Sequence, residues 1–192
     1  MKLPRIKPQL IIEYSWIYDK QIQEWKGLKY TTDYKKAKKY RDKLQKKWNK
    51  FDKKIFDSIS KVSGLKWKKQ VIDCYLVTKT TPFSMPMTIP MRTGMRELIE
   101  TITHELVHNI LVQNWDRIIK KDYKKKYGEM SKKAEIHILV HSILKEAMIN
   151  VFGEKKTKKY IKKKQENLSD YKTAWDIVEK EGSKRVIIDC IK

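Results

Sequence analysis

Four histidines are all the imidazole this chain of 192 residues contains. They fall into two pairs, His104 with His108 and His137 with His141, each four residues apart. On an α-helix, residues i and i+4 project from one face, so each pair can turn two rings toward one ion. The first pair lies in Thr103-His104-Glu105-Leu106-Val107-His108-Asn109, an H-E-x-x-H pattern. Two imidazoles on one helical face suit Zn²⁺, and the carboxylate of Glu105, one position round, can reach a metal-bound water. Such a constellation does hydrolysis, with a metal-activated water as nucleophile and Glu105 as general base. A shuffled chain of this composition would produce the pattern roughly once in 200, so its context has to decide.

A catalytic zinc takes three protein ligands and one water. After His104 and His108, the choice lies among His137, His141, Glu135 and Glu146. At about 100° per residue, His141 lies about 40° from His137, whereas Glu135 and Glu146 lie about 160° to 180° away. Ile136, Val140, Ile143 and Ala147 flank the histidine side and mark it as inward. The glutamates are therefore expected in solvent and the third ligand is expected to be a histidine. Spacing alone leaves His137 and His141 open: one binds the metal while the other stands a turn away, holding a ligand ring or contacting substrate. A further donor is expected to stabilise the oxyanion. Tyr123, Tyr127 and Tyr171 are available, with Tyr171 preferred.

H-E-L-V-H on an apolar helix resembles the zincin class of metallopeptidases. A third ligand on a later helix is similar to the gluzincin layout, with His in place of the third-ligand Glu. In that layout an acid follows the ligand four residues later, and the matching pair here is His137 and His141. The resemblance thus implies a zincin-like fold, peptide-bond hydrolysis, Zn²⁺ on His104, His108 and His137, and Glu105 as base. It also implies a strand that holds an extended peptide, for which Val71 to Thr78 or Met85 to Met91 is the candidate. The metzincin extension is absent, since Gln113 and Asn114 follow the motif and no histidine occurs before His137. The downstream stretches H-I-L-V-H-S-I-L-K and Y-K-T-A-W-D-I-V-E-K-E-G are similar to small uncharacterised archaeal and viral metallopeptidases.

The elements that must position these residues are legible in part. Met95 to Ile119 carries apolar residues over much of a helix's girth, with Thr93-Gly94 able to start it. Ser131 caps a second apolar helix that runs to about Phe152, with Gly153 after it. Before these, alternating Tyr14, Trp16 and Tyr18 suggest a strand, and Asp33 to Val62 keeps one helical stripe between a capping Asp33 and a terminating Gly64. Val71 to Thr78 reads as a strand. Thr80 to Pro90, with three prolines, reads as a loop or irregular edge in which Met85, Met87, Met91 and Met95 cluster as gap-filling core residues. Asp122 to Gly128 reads as a connection, 154–166 as a lysine-rich helical segment, Ser169 to Gly182 as a short amphipathic helix, and Arg185 to Ile191 as a strand. The expected class is α+β, mostly helical: a small sheet, a buried H-E-x-x-H helix and a second buried ligand helix. Residues 1–64 form an N-terminal segment with a long basic helix, and 65–192 the zincin-like catalytic domain.

The formal charge of +22, from 45 basic against 23 acidic residues, favours polyanions. The alternative function is therefore a basic nucleic-acid-binding protein with a structural or vestigial zinc site, and a zinc hydrolase of a non-peptide amide is a third. The favoured partner is a protein or peptide substrate, with nucleic acid meeting the basic surface. No apolar run is long enough for a membrane span. The N-terminus lacks the apolar stretch of a signal peptide, so the protein is expected to be cytoplasmic, with Cys74 and Cys190 as reduced, buried thiols.

Overall fold

The computed structural model describes residues 6–91, 94–118, 120–165 and 169–191, without the side chains of 120–122 and 169. The chain is α+β and mostly helical, with one small mixed sheet, as expected. It divides into two compact units: Met1–Lys53 with Trp67–Asn109, and Lys54–Lys66 with Ile110–Lys192.

The first unit contains the sheet. Strand β2 (Val71–Val77) alternates in burial, with Ile72, Cys74 and Leu76 turned inward, the two-residue period of a half-covered sheet. It pairs in parallel with β1 (Gln9–Glu13) on one side and with β4 (Met87–Pro90) on the other, and β3 (Phe83–Ser84) closes the order β1-β2-β4-β3 antiparallel to β4. Being interior, β2 offers no edge to a peptide, which corrects the expectation for Val71 to Thr78. Met87 to Pro90 is likewise a buried strand where a loop was expected. Its proline is tolerated because Val77 O accepts instead from Met91 N, at 2.7 Å. Of the clustered methionines only Met87 is buried, and Met85 is exposed.

Two helices accompany this sheet. Helix α1 (Trp16–Trp25) replaces the strand read from Tyr14, Trp16 and Tyr18. Ser15 caps it through a 3.3 Å bond from Tyr18 N, a local signal that outweighs aromatic alternation. Asp19, fully buried in α1, accepts from Thr78 N, Thr78 Oγ1, Gln23 Nε2 and Tyr14 OH. Helix α2 (Tyr34–Trp48) starts at the expected Asp33 cap. Its Gln45 takes Ile12 N at 2.7 Å and gives Nε2–H to Leu10 O at 3.2 Å. A side-chain amide thus satisfies the outer edge of β1.

The stripe from Asp33 to Val62 is two helices, α2 and α3 (Asp52–Ser63), rather than one. At 49–51 the bonds tighten to i→i−3, from Lys50 N to Lys47 O and from Phe51 N to Trp48 O. Trp48, Ile55 and Ile59 are all fully buried despite the break. Gly64 ends α3 as expected, at φ +66.

Helix α4 (Met95–Gln113) is the expected apolar helix. Its proposed start at Thr93 lies outside the described residues, as does Ile119. It stops short of Trp115, which sits exposed in a 3-10 turn. The connection expected at Asp122 to Gly128 is mostly helical, as α5 (Lys120–Tyr127).

Helix α6 (Lys132–Phe152) runs through the second unit with α7 (Glu154–Gln165), α8 (Ser169–Glu181) and α9 (Ser183–Cys190) packed on it. Ser131 caps it at Ala134 N and Gly153 follows at φ +84. Being covered on several sides, α6 departs from the one-sided reading of its flanks. Glu135 is buried and pairs with Lys132 at 2.8 Å, Glu146 is half-buried and accepts from Ser183 Oγ, and Ile136 is exposed.

The strand expected at Arg185 to Ile191 is helix α9, and only Ile191 bridges to Ile118. Ser183, Val186, Ile187 and Cys190 are buried while Ile188 is 74% exposed, the i, i+3, i+4, i+7 pattern of a helix. Both cysteines are buried and free of disulfide, as expected, and burial pushes the Cys190 thiol up to about 12. Among the described residues no helix is long and apolar enough to cross a membrane.

Candidate metal centre

Helix α4 carries His104, Glu105 and His108 on consecutive turns, with His104 and Glu105 buried and His108 half-buried. The surrounding Ile102, Leu106, Val107 and Ile110 are completely buried, so hydrophobic packing on several sides fixes the helix's rotation. The two imidazoles face each other, Nε2 to Nε2, at 3.2 Å. Two nitrogens each about 2.05 Å from a tetrahedral Zn²⁺ would stand about 3.4 Å apart. The i, i+4 pair therefore already spans one edge of a zinc tetrahedron.

On α6, His137 donates Nδ1–H to Lys133 O at 2.7 Å. A carbonyl only accepts, so the proton belongs to Nδ1 and Nε2 carries the lone pair, the usual way a backbone carbonyl prepares an imidazole for a metal. Burial lowers the pKa of His137 although the Lys133 carbonyl bond opposes it, which favours the neutral, ligating ring. Imidazole nitrogens are a donor type that fits Zn²⁺.

His141 stands one turn further along α6. It stacks on Trp175 of α8 with ring centres 4.1 Å apart and planes 8° apart. Tyr171, one turn before Trp175, lies against His137 with ring centres 4.4 Å apart, beneath Lys133 Nζ. The other two tyrosines weighed as oxyanion donors are engaged elsewhere. Tyr123 OH donates to Glu135 O, and Tyr127 OH donates to Glu181 Oε2 at 2.6 Å.

Glu105 is held by a residue that sequence reasoning missed. Ser84, at the end of β3, donates Oγ–H to Glu105 Oε2 at 2.6 Å. Asn109 Nδ2 in turn donates to Ser84 O at 3.1 Å and to Glu105 O at 3.3 Å. Burial raises the Glu105 pKa to about 7, with the Ser84 bond working in the opposite direction. Asn109 had a usable signal, since it lies four residues after Glu105 on the same face. Ser84 had none, because it arrives from a separate segment.

No family model, no curated protein and no solved structure matches this chain.

Proposed function

We propose that the protein is a zinc-dependent metallopeptidase of zincin-like build, with Zn²⁺ held by His104, His108 and His137. The observation that carries this reading is the 3.2 Å Nε2–Nε2 spacing of the H-E-x-x-H imidazoles beside a buried Glu105 held by Ser84. Three histidines leave a fourth coordination position, as catalytic sites do, whereas a structural zinc fills all four with protein. When bound there, the ion supplies a water of pKa near 7 and an electrophile for the substrate carbonyl.

The chain's own groups then do the proton work. Glu105, with Oε2 held by Ser84, would accept a proton from the attacking water and return it to the leaving amine. A base whose pKa sits near neutrality is matched to that exchange, and a bound cation would pull it somewhat lower. Tyr171, seated on the His137 ring, is the group we assign to the developing oxyanion. His141 braces α6 against α8 through Trp175, which fixes the height at which His137 is presented. Of the strands, β3 is at the sheet edge and carries Ser84, so we assign the extended substrate to that edge.

Glu105→Gln tests the base directly. It keeps the shape and the bond from Ser84, so bound zinc should be retained while casein or peptide cleavage falls by about 10²–10⁴-fold. Full cleavage by a zinc-loaded Glu105→Gln protein would end this mechanism.

A further inference from the structure

We propose that the outward face of α2 is a binding surface for single-stranded nucleic acid, with a lysine ridge tracking the phosphates and Tyr34 stacking on a base. This goes beyond the metal centre and does not depend on it. In its 15 residues α2 holds Lys35, Lys36, Lys38, Lys39, Arg41, Lys43, Lys46 and Lys47 against a single acid, Asp42. Ala37, Leu44 and Trp48 form its completely buried stripe, so the charge is confined to the rest of the surface. At about 100° and 1.5 Å per residue, Lys35, Lys39, Lys43 and Lys46 fall in an arc of about 80° on the far side from that stripe, along about 16 Å.

The ridge is not neutralised by the protein itself. The ion pairs on α2 go to Lys36, from Asp33, and to Arg41, from Asp42. Among the described residues none of the four ridge lysines has a carboxylate within ion-pairing distance. Lysines at i and i+4 repel one another, and a polyanion relieves that repulsion while releasing its counterions.

Tyr34 selects the kind of polyanion. It is the first residue of α2 and 46% exposed. Its ring stands 5.9 Å from that of Tyr14, and Lys38 Nζ lies 5.4 Å from its centre. Tyr34 lies about 100° round α2 from Lys35, at the helix's first turn beside Lys38, and an exposed aromatic flanking the N-terminal end of a cationic ridge matches unpaired bases, which a duplex keeps stacked away. An anionic membrane would also satisfy the lysines, but the apolar stripe that α2 would insert is already buried. Helix α7 supplies the contrast: it is as rich in lysine, but its tyrosine, Tyr160, is buried.

The test is fluorescence anisotropy on the full-length protein at physiological salt, with a labelled oligothymidylate, its oligouridylate counterpart and a hairpin duplex of equal phosphate number. The quadruple variant Lys35→Gln, Lys39→Gln, Lys43→Gln, Lys46→Gln should weaken single-strand binding at least about 30-fold and make the log–log salt slope shallower by about three. Tyr34→Ala should cost about 10-fold on single strands and almost nothing on the duplex. A charge-matched control on α7, Lys155→Gln, Lys156→Gln, Lys159→Gln, Lys162→Gln, should cost less than about 3-fold. Binding of either single strand supports the proposal, and the tighter of the two names the sugar. Equal losses from the α2 and α7 variants would reduce the effect to diffuse attraction and overturn it. So would duplex binding as tight as single-strand binding, indifference to Tyr34→Ala, or no binding by the wild type. All the substituted side chains are exposed, and circular dichroism checks that each variant is folded.

Discussion

Glu105 is a carboxyl group buried in a predominantly apolar helix, and its protonation is coupled to folding. In the metal-free protein burial raises its pKa from 4.5 to about 7. Between those values the folded state keeps a proton that the unfolded chain has released, so stability falls as pH rises through this window. The Glu105 contribution should cost about 3 kcal/mol across it, and Glu105→Gln should remove that pH dependence in chemical denaturation of the chelated protein. Ser84→Ala tests the contact that opposes the shift. Without its bond the carboxylate loses a donor, its pKa rises further, and the acid limb of the cleavage profile should move up by about one pH unit. An unmoved limb would mean that Ser84 does not hold the base. The histidine pairs and Glu105 were legible because i, i+4 spacing is a local property of the helix. The pairing of Ser84 with Glu105 and of Trp175 with His141 was not, because each joins segments far apart in the chain.

Whether a run of β-branched residues becomes a strand or a helix is settled by what covers it, and α9 makes the point. Val186, Ile187 and Ile188 have the composition of a strand, yet α6 and α8 pack on the first two and leave the third in solvent. A helix and a strand predict different substitutions here, because a strand would place Val186 and Ile188 on one face. Ile188→Lys should change stability by no more than about 0.5 kcal/mol. Val186→Lys should cost more than about 3 kcal/mol by burying a charge, and comparable effects at both positions in urea titrations would contradict the helix. The break between α2 and α3 was hidden for a related reason: Trp48 and Ile55 are both buried, so the apolar stripe continues in sequence through the interruption at 49–51. Caps were more legible than lengths. Asp33, Ser131, Gly64 and Gly153 all act where the sequence placed them, since a cap is decided by its own side chain or φ. Burial on several sides of α6 was legible only in the density of its apolar residues, which is why Glu135 was expected in solvent.

For the whole molecule, the proposed ion on His104, His108 and His137 would link metal binding to stability. Zinc present at about 100 times its Kd adds about 2.7 kcal/mol, which for a chain of this size raises Tm by about 5–10 °C. Chelation should remove that increment from the wild type. His137→Ala should show no increment at all, while His141→Ala should retain it, because His141 is engaged in stacking on Trp175. Zinc X-ray absorption spectroscopy on the loaded protein reads the proposed open three-histidine centre directly. The predicted result is one zinc per chain with three imidazole nitrogens at about 2.0–2.1 Å and one further light oxygen scatterer. Four imidazoles around the metal, or no stoichiometric zinc, would contradict it.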